Sequence, residues 1–321
     1  MVGVYANQFA PLAIADRSGV DESVHFGAVV GLASNGELAF SIGDHHLQMF
    51  PRSTTKPIQA LAMVRAGLSL PAEQLALVCS SHNGESIHQK TALEILATVG
   101  LDESALGNTA DYPMHTHSAH EAIREGKKKS PLQMGCSGKH SGMLVTCAIN
   151  GWPLDTYLQQ DHPLQQAITA AVSDVTGQDA FAIGIDGCGA PAHVVELIGL
   201  ARAMRAMAVG EAGPSGLAIY EAMSQYPYMV GGDKRDVTTI VSGIPGLFAK
   251  DGADAVYAAA MGDGRAVALK MSDGFGRGTP TVLLAALAKL GVDISGVDTS
   301  VQEVVYGHGK PVGSVRAIGL D

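Results

Sequence analysis

The spacing of apolar residues changes along this chain, and each change marks an element. Residues 25–33, HFGAVVGLA, are a nearly unbroken apolar run suited to a strand. Ser34-Asn35-Gly36 supplies a hairpin turn, and Glu37 to Ile42 returns as a second strand. Beyond it the period lengthens to that of a helix, which predicts helices over 56–67, 86–99, 117–125, 140–149, 162–176, 191–207 and 214–225. Asp161 is the expected N-cap of the helix at 162–176, Gly177 its stop, and Pro191 the opening of the helix at 191–207.

Strands return toward the C-terminus. Ala255 to Ala260 and Arg265 to Met271 flank Gly262-Asp263-Gly264, a helix is predicted over 279–290, and Val312 to Ile318 reads as a last strand. Strands at both ends with helices between them predict an α+β fold. Its antiparallel sheet is made by the N- and C-terminal strands, with the helices segregated around it. No repeat or low-complexity tract interrupts the chain, and residues 210–216 read as a loop between helices, so residues 1–321 are expected to form one domain.

Composition adds limits. Of 321 residues 46% are hydrophobic, enough for a large core. The net charge of −10 argues against a binder of nucleic-acid phosphates, and Lys127-Lys128-Lys129 is adequately explained as a solvated loop. No uncharged apolar stretch reaches the length of a membrane span. The N-terminal residues lack the basic and apolar regions of a signal peptide, and Cys79, Cys136, Cys147 and Cys188 are too few for a disulfide scaffold. Reduced thiols in the cytoplasm are therefore expected. Cys79 and Cys147 sit in apolar runs and read as buried filler.

Five segments concentrate chemistry. Arg52-Ser53-Thr54-Thr55-Lys56 is a Ser-x-x-Lys spacing. A helix beginning near Ser53 puts Ser53 and Lys56 on one face, where a neutral lysine can take the serine proton. A serine at a helix start is more often an N-cap. Cys79-Ser80-Ser81-His82-Asn83-Gly84-Glu85 ends an apolar run and presents either a capped turn or a second reactive hydroxyl. Gly135-Cys136-Ser137-Gly138-Lys139-His140 and Gly184-Ile185-Asp186-Gly187-Cys188-Gly189 are Gly-rich turns expected to open helices. Two thiolates near Lys139, Asp186 or His140 suit zinc, although no Cys-x-x-Cys spacing supports it. Lys270, near the end of a predicted strand, is either an edge charge or the second lysine of a Ser-Lys enzyme. On spacing alone, Ser53 is the better nucleophile.

Taken in order, RSTTKPIQ, CSSHNGE, CSGKHSGML, GIDGCGAP and KMSDG resemble the asparaginase II family, the rhizobial-type L-asparaginases. The resemblance implies a fold like that of serine β-lactamases and penicillin-binding proteins, usually as a homodimer. It implies hydrolysis of L-asparagine to L-aspartate and ammonia, with Ser53 paired to Lys56 and Ser81 paired to Lys270. It moves the choice of nucleophile to Ser81, with Ser80 as the neighbour to be distinguished from it. It also implies Cys136, Lys139 and Cys188 as zinc ligands, and His140 and Asp186 as residues lining the substrate or metal pocket. The zinc is not expected to be the hydrolytic centre. Arg52 or Arg277 would meet the substrate's α-carboxylate. The alternatives are a glutaminase or other amidohydrolase on the same fold, or a non-catalytic module that binds metal or an amino acid.

Overall fold

The computed structural model describes residues 4–320. Its strands are β1 (Ala10–Arg17), β2 (Val20–Leu32), β3 (Leu38–Ile42), β4 (Gln48–Met49), β5 (Ala182–Ile185) and β6 (Pro191–Glu196), then β7 (Leu247–Gly252), β8 (Val256–Met261), β9 (Ala266–Met271), β10 (Val304–Gly307) and β11 (Lys310–Ala317). The helices are α1 (Lys56–Arg65), α2 (Ala72–Val78), α3 (Ser86–Ala97), α4 (Thr116–Arg124), α5 (Ser137–Asn150) and α6 (Pro163–Thr176). They continue with α7 (Leu197–Ala208), α8 (Pro214–Gln225), α9 (Pro227–Val230), α10 (Asp236–Gly243) and α11 (Thr279–Lys289).

The main sheet runs β10-β11-β1-β2-β9-β8-β7, with β3 also on β2, and every pairing in it is antiparallel. This is the α+β arrangement expected, with N- and C-terminal strands interleaved. The long β2 makes it possible: residues 20–27 pair with β1, while residues 27–32 pair with β9. β9 is buried along its whole length, with α7 and α11 both packed on it. Its neighbour β8 carries Ala258, Ala259 and Ala260, whose small side chains let α7 lie close.

The sequence reading departs from the structure most clearly at 191–207. Residues 191–196 are strand β6, and helix α7 starts only at Leu197. Pro191 is tolerated as the first residue of a strand, and the β-branched Val194 and Val195 favour pairing with β5 and β4. The GIDGCGAP segment is therefore a hairpin tip, closed by Asp186 N–H donating to Ala190 O at 2.9 Å. It is not the mouth of a helix. Asp161 is not the cap of α6; the His162 ring accepts from Leu164 N–H instead. Strands β1 and β7 and helices α2 and α10 were not anticipated.

Helix α5 shows how the fold brings distant turns together. Residues 137–147 of it are all buried. A Cβ at Gly138 would lie 2.5 Å from Leu77 O, and one at Gly142 2.8 Å from Val78 Cγ1. Only glycine permits that approach. It sets the start of α5, with Cys136 before it, against the end of α2, with Ser81 after it.

Candidate active site

A cavity of about 330 Å³ opens where six segments meet: the turn before α1, the turn after α2, residues 111–114 before α4, the turn before α5, the β5–β6 hairpin tip and the end of β7. Ser53, Ser81, Arg52, Asp186, Cys136 and Cys188 all line it.

Ser81 and Ser80 are separated by this geometry. Ser80 is fully buried, and its hydroxyl donates to Leu77 O at 2.6 Å. Ser81 reaches the cavity, with Oγ 2.9 Å from Lys56 Nζ. Lys56 also donates to Ser80 O at 2.6 Å and to Cys136 Sγ at 3.2 Å. These three contacts use all the donors of an ammonium. The expected pairing of Ser53 with Lys56 is not found. Arg52–Thr55 form a 3-10 turn rather than the first turn of the helix, and Lys56 is the first residue of α1. Ser53 Oγ lines the cavity without a hydrogen bond among the described residues.

The expected pairing of Ser81 with Lys270 is not found either. The Lys270 amine donates to Asp254 O at 2.5 Å and to Met271 O at 2.9 Å, and it lines a different cavity. A lysine the sequence reading passed over, Lys250, lies near Lys56 instead. It is fully buried on β7 and donates to Asp251 O and Asp251 Oδ1, each at 2.6 Å. Burial pushes its amine down to about 8; the Asp251 carboxylate opposes this, and the charges of Lys56 and Arg235 add to it. Arg235 pairs with Asp251 and donates to Ser81 O at 3.1 Å, fixing the turn that carries Ser81. The signal for Lys250 was a lysine at the end of an apolar run, in the order Lys250-Asp251-Gly252. That order is closer to Lys-Thr-Gly than the Lys-Met-Ser at 270–272.

The two Gly-rich turns do meet. The Cys188 thiol donates to Cys136 and holds Cys136 well below an ordinary thiol, against the cost of burial and with help from the charges of Lys56 and Lys139. Cys188 is raised by the same interaction and by burial. Lys139 donates to Cys188 Sγ at 3.1 Å. Burial works against the Lys139 charge, yet Cys188 and Cys136 hold its amine above the ordinary value. Two sulfurs lining the cavity, with the Lys139 amine in contact with Cys188 behind them, are the kinds of atom that zinc binds. Asp186 Oδ2 is 3.7 Å from Cys188 Sγ. No group of three or more His, Cys, Asp or Glu side chains is arranged for a metal among the described residues.

Arg52 adopts a left-handed backbone conformation, φ 54°, unusual for a bulky residue. Its guanidinium donates to Asp186 Oδ1 at 2.8 Å and pairs with Asp254. Burial raises the Asp186 carboxyl, but the hydrogen bond from Arg52 and the charge of Lys139 outweigh it and leave the group below its ordinary value. His140 does not line the cavity. It is fully buried, 2.7 Å from Tyr157 Oη, and burial lowers it to about 4, so it is neutral. Arg277 does not line the cavity either.

A buried Ser-Lys contact facing a cleft with charged groups on its wall can support acyl transfer from a small substrate. The family model described as L-asparaginase II matches residues 13–317, and the chain belongs to that family. It is thereby an amidohydrolase. No curated protein matches the sequence. Among solved structures it is similar to a probable glutaminase, ybaS, at 15% identity over 84% of this chain and 87% of that one, with a TM-score of 0.43. It is similar to Mglu in its tris and glutamate form at 12% identity over 85% of this chain and 60% of that one, TM-score 0.38. A Bacillus glutaminase matches at 10% identity over 84% and 92%, TM-score 0.36. No helix among the described residues is long and apolar enough to cross a membrane.

Proposed function

We propose that the protein hydrolyses L-asparagine to L-aspartate and ammonia, with Ser81 as nucleophile and Lys56 as its base. The observation that carries this reading is the 2.9 Å contact between Ser81 Oγ and Lys56 Nζ on the wall of the cavity. In its reactive form Lys56 is a neutral amine. It takes the Ser81 proton as Oγ attacks the side-chain amide carbon. The carbonyl π electrons move to oxygen, and the resulting oxyanion needs donors. Gly135 N–H lines the cavity and has no partner among the described residues. Ser81 N–H is already given to Val230 O at 3.2 Å and cannot serve. Collapse of the intermediate breaks the C–N bond, and the proton held on Lys56 leaves with ammonia. Water then attacks the acyl-enzyme, Lys56 takes its proton, and L-aspartate departs as Ser81 regains its hydrogen.

Arg52 and Asp186 carry opposite charges at the cavity and suit the substrate's α-carboxylate and α-ammonium respectively. Cys136, Cys188 and Lys139 would hold zinc, which binds thiolate and nitrogen ligands. Bound there, zinc would supply positive charge beside the cavity. A homodimer is the assembly we expect, and light scattering tests it.

Ammonia release with L-asparagine and L-glutamine side by side tests the substrate. Asparagine should be turned over at least tenfold more efficiently; the two differ by one methylene, worth about 1–3 kcal/mol in a fitted pocket. Glutamine preferred over asparagine would make the enzyme a glutaminase. No release from either would defeat the reading.

A further inference from the structure

Lys270 poses a question that the reaction leaves unused. It is a buried lysine, 8% exposed, outside the catalytic cavity. Its two hydrogen-bond partners, Asp254 O and Met271 O, are neutral carbonyls, and no carboxylate touches it among the described residues. A buried ammonium without a contacting anion is costly. One of its three donors is also unspent. It lines a second cavity, about 400 Å³, with Gln48, Phe50, Asp254, Ser272 and Asp273. The Gln48 amide and the Ser272 hydroxyl make no hydrogen bond among the described residues. The walls thus present a cation, two carboxylates, two free polar groups and an aromatic ring, with Met49 and Val194, around a space with ample room for an amino acid.

We propose that this cavity is a second ligand site, for a small α-amino acid bound through both of its charged groups. The carboxylate meets the free Lys270 donor, with Ser272 and Gln48 beside it. The ammonium meets Asp273 and the Asp254 carboxylate. A plain anion fits less well, because Asp273 repels it. Asp254 joins the two cavities: its backbone oxygen holds Lys270, and its side chain pairs with Arg52 on the catalytic cavity. A ligand ammonium that draws on Asp254 weakens its hold on Arg52 and frees Arg52 for a carboxylate in the catalytic cavity. Occupation of one cavity then favours occupation of the other. That coupling, unlike the second site itself, rests on the role given to Arg52 in the proposed reaction.

Equilibrium dialysis with radiolabelled L-aspartate, which carries both charged groups and is not hydrolysed, tests the site on the whole protein. The wild type should bind two equivalents per chain and Lys270→Met one. Asp273 is an exposed loop residue, and Asp273→Asn should weaken the second equivalent at least tenfold even if Lys270→Met does not fold. Succinate, which lacks the ammonium, should displace that equivalent at least tenfold less well than L-aspartate. Two equivalents persisting in Lys270→Met, or a single equivalent unaffected by both substitutions, overturns the site. A single equivalent lost in Lys270→Met supports the site and counts against the catalytic reading instead. Equal displacement by succinate overturns the amino-acid specificity. Two independent, non-cooperative sites overturn the coupling.

Discussion

Lys250 and Lys270 make an informative pair. Register places Lys250 opposite Ala258, and Lys270 opposite Val256, which in turn faces Gly252. Both lysines therefore rise from the same face of the sheet, two strands apart, which is about 10 Å across the ladder. Both are buried, and burial lowers both amines. Their surroundings differ. Lys250 has a carboxylate in contact, an arginine beyond it and Lys56 near, all tied to the turn that carries Ser81. Lys270 has only carbonyls and a cavity of its own. The same residue type on the same face thus belongs to the surroundings of Ser81 in one place and is separate from them two strands away.

The comparison breaks most sharply at Ser81. Ser81→Ala should lower kcat by about 10³-fold or more, and Lys56→Met by a similar factor, with little further loss when both are combined, because groups acting as a unit lose function non-additively. Steady-state ammonia release measures this. A Ser81→Ala variant within tenfold of wild type would move the nucleophile to Ser53. Next in size is the contrast between the lysines. Lys250→Met should lower kcat by about 10²-fold, through loss of the positive charge beside Lys56 and of the hold on Asp251, whereas Lys270→Met should cost less than tenfold. The opposite ranking would restore the pairing of Ser81 with Lys270.

The third test uses pH and isolates Lys250 from everything else. Its amine titrates near 8 in the folded chain and at the ordinary 10.5 when unfolded. Below about 8 both states hold the proton, and the folded state bears the full cost of burying the charge. Between 8 and 10.5 the unfolded chain binds more protons, so stability rises with pH across that window. Cys79, pushed up to about 12 by burial, works the other way, as does Cys147. Both are present in wild type and Lys250→Met alike, so the difference between the two proteins shows the lysine alone. Wild type should gain on the variant in urea melts as pH rises from 8 to 10. A constant gap would mean that Lys250 keeps its proton.

How far the sequence carries the argument follows from where each signal sits. The β2–β3 hairpin, the final strands and most helix positions follow local periodicity and turn residues, so they are legible. The convergence of Cys136 with Ser81 depends on close backbone approach of α5 to α2 at Gly138 and Gly142, and only the ordered motifs point to it. The partner of Lys56 was misread because spacing along a helix names Ser53, while the 3-10 turn at 52–55 leaves Lys56 directed to Ser81. Strand β7 was missed since LFAK is too short to show a period. Lys250 went unseen with it. The choice between two lysines on one face is made by strand order, and no local pattern encodes that.

The smallest effect separates Ser80 from Ser81. The two are adjacent, both hydroxyls are hydrogen-bonded, and both belong to the turn at the end of α2. Ser80 Oγ returns its hydrogen to Leu77 O, which also accepts Ser80 N–H at 3.1 Å. Removing the hydroxyl in Ser80→Ala therefore leaves no orphaned acceptor. The cost should be that of one local hydrogen bond, about 0.5–1.5 kcal/mol in urea unfolding. The rate of ammonia release should stay within about threefold, since the Lys56 contact to Ser80 is made through the backbone oxygen and survives the substitution. A Ser80→Ala enzyme as inactive as Ser81→Ala would mean that the turn rearranges to present Ser80, and the contact between Ser81 and Lys56 would then describe the resting state only.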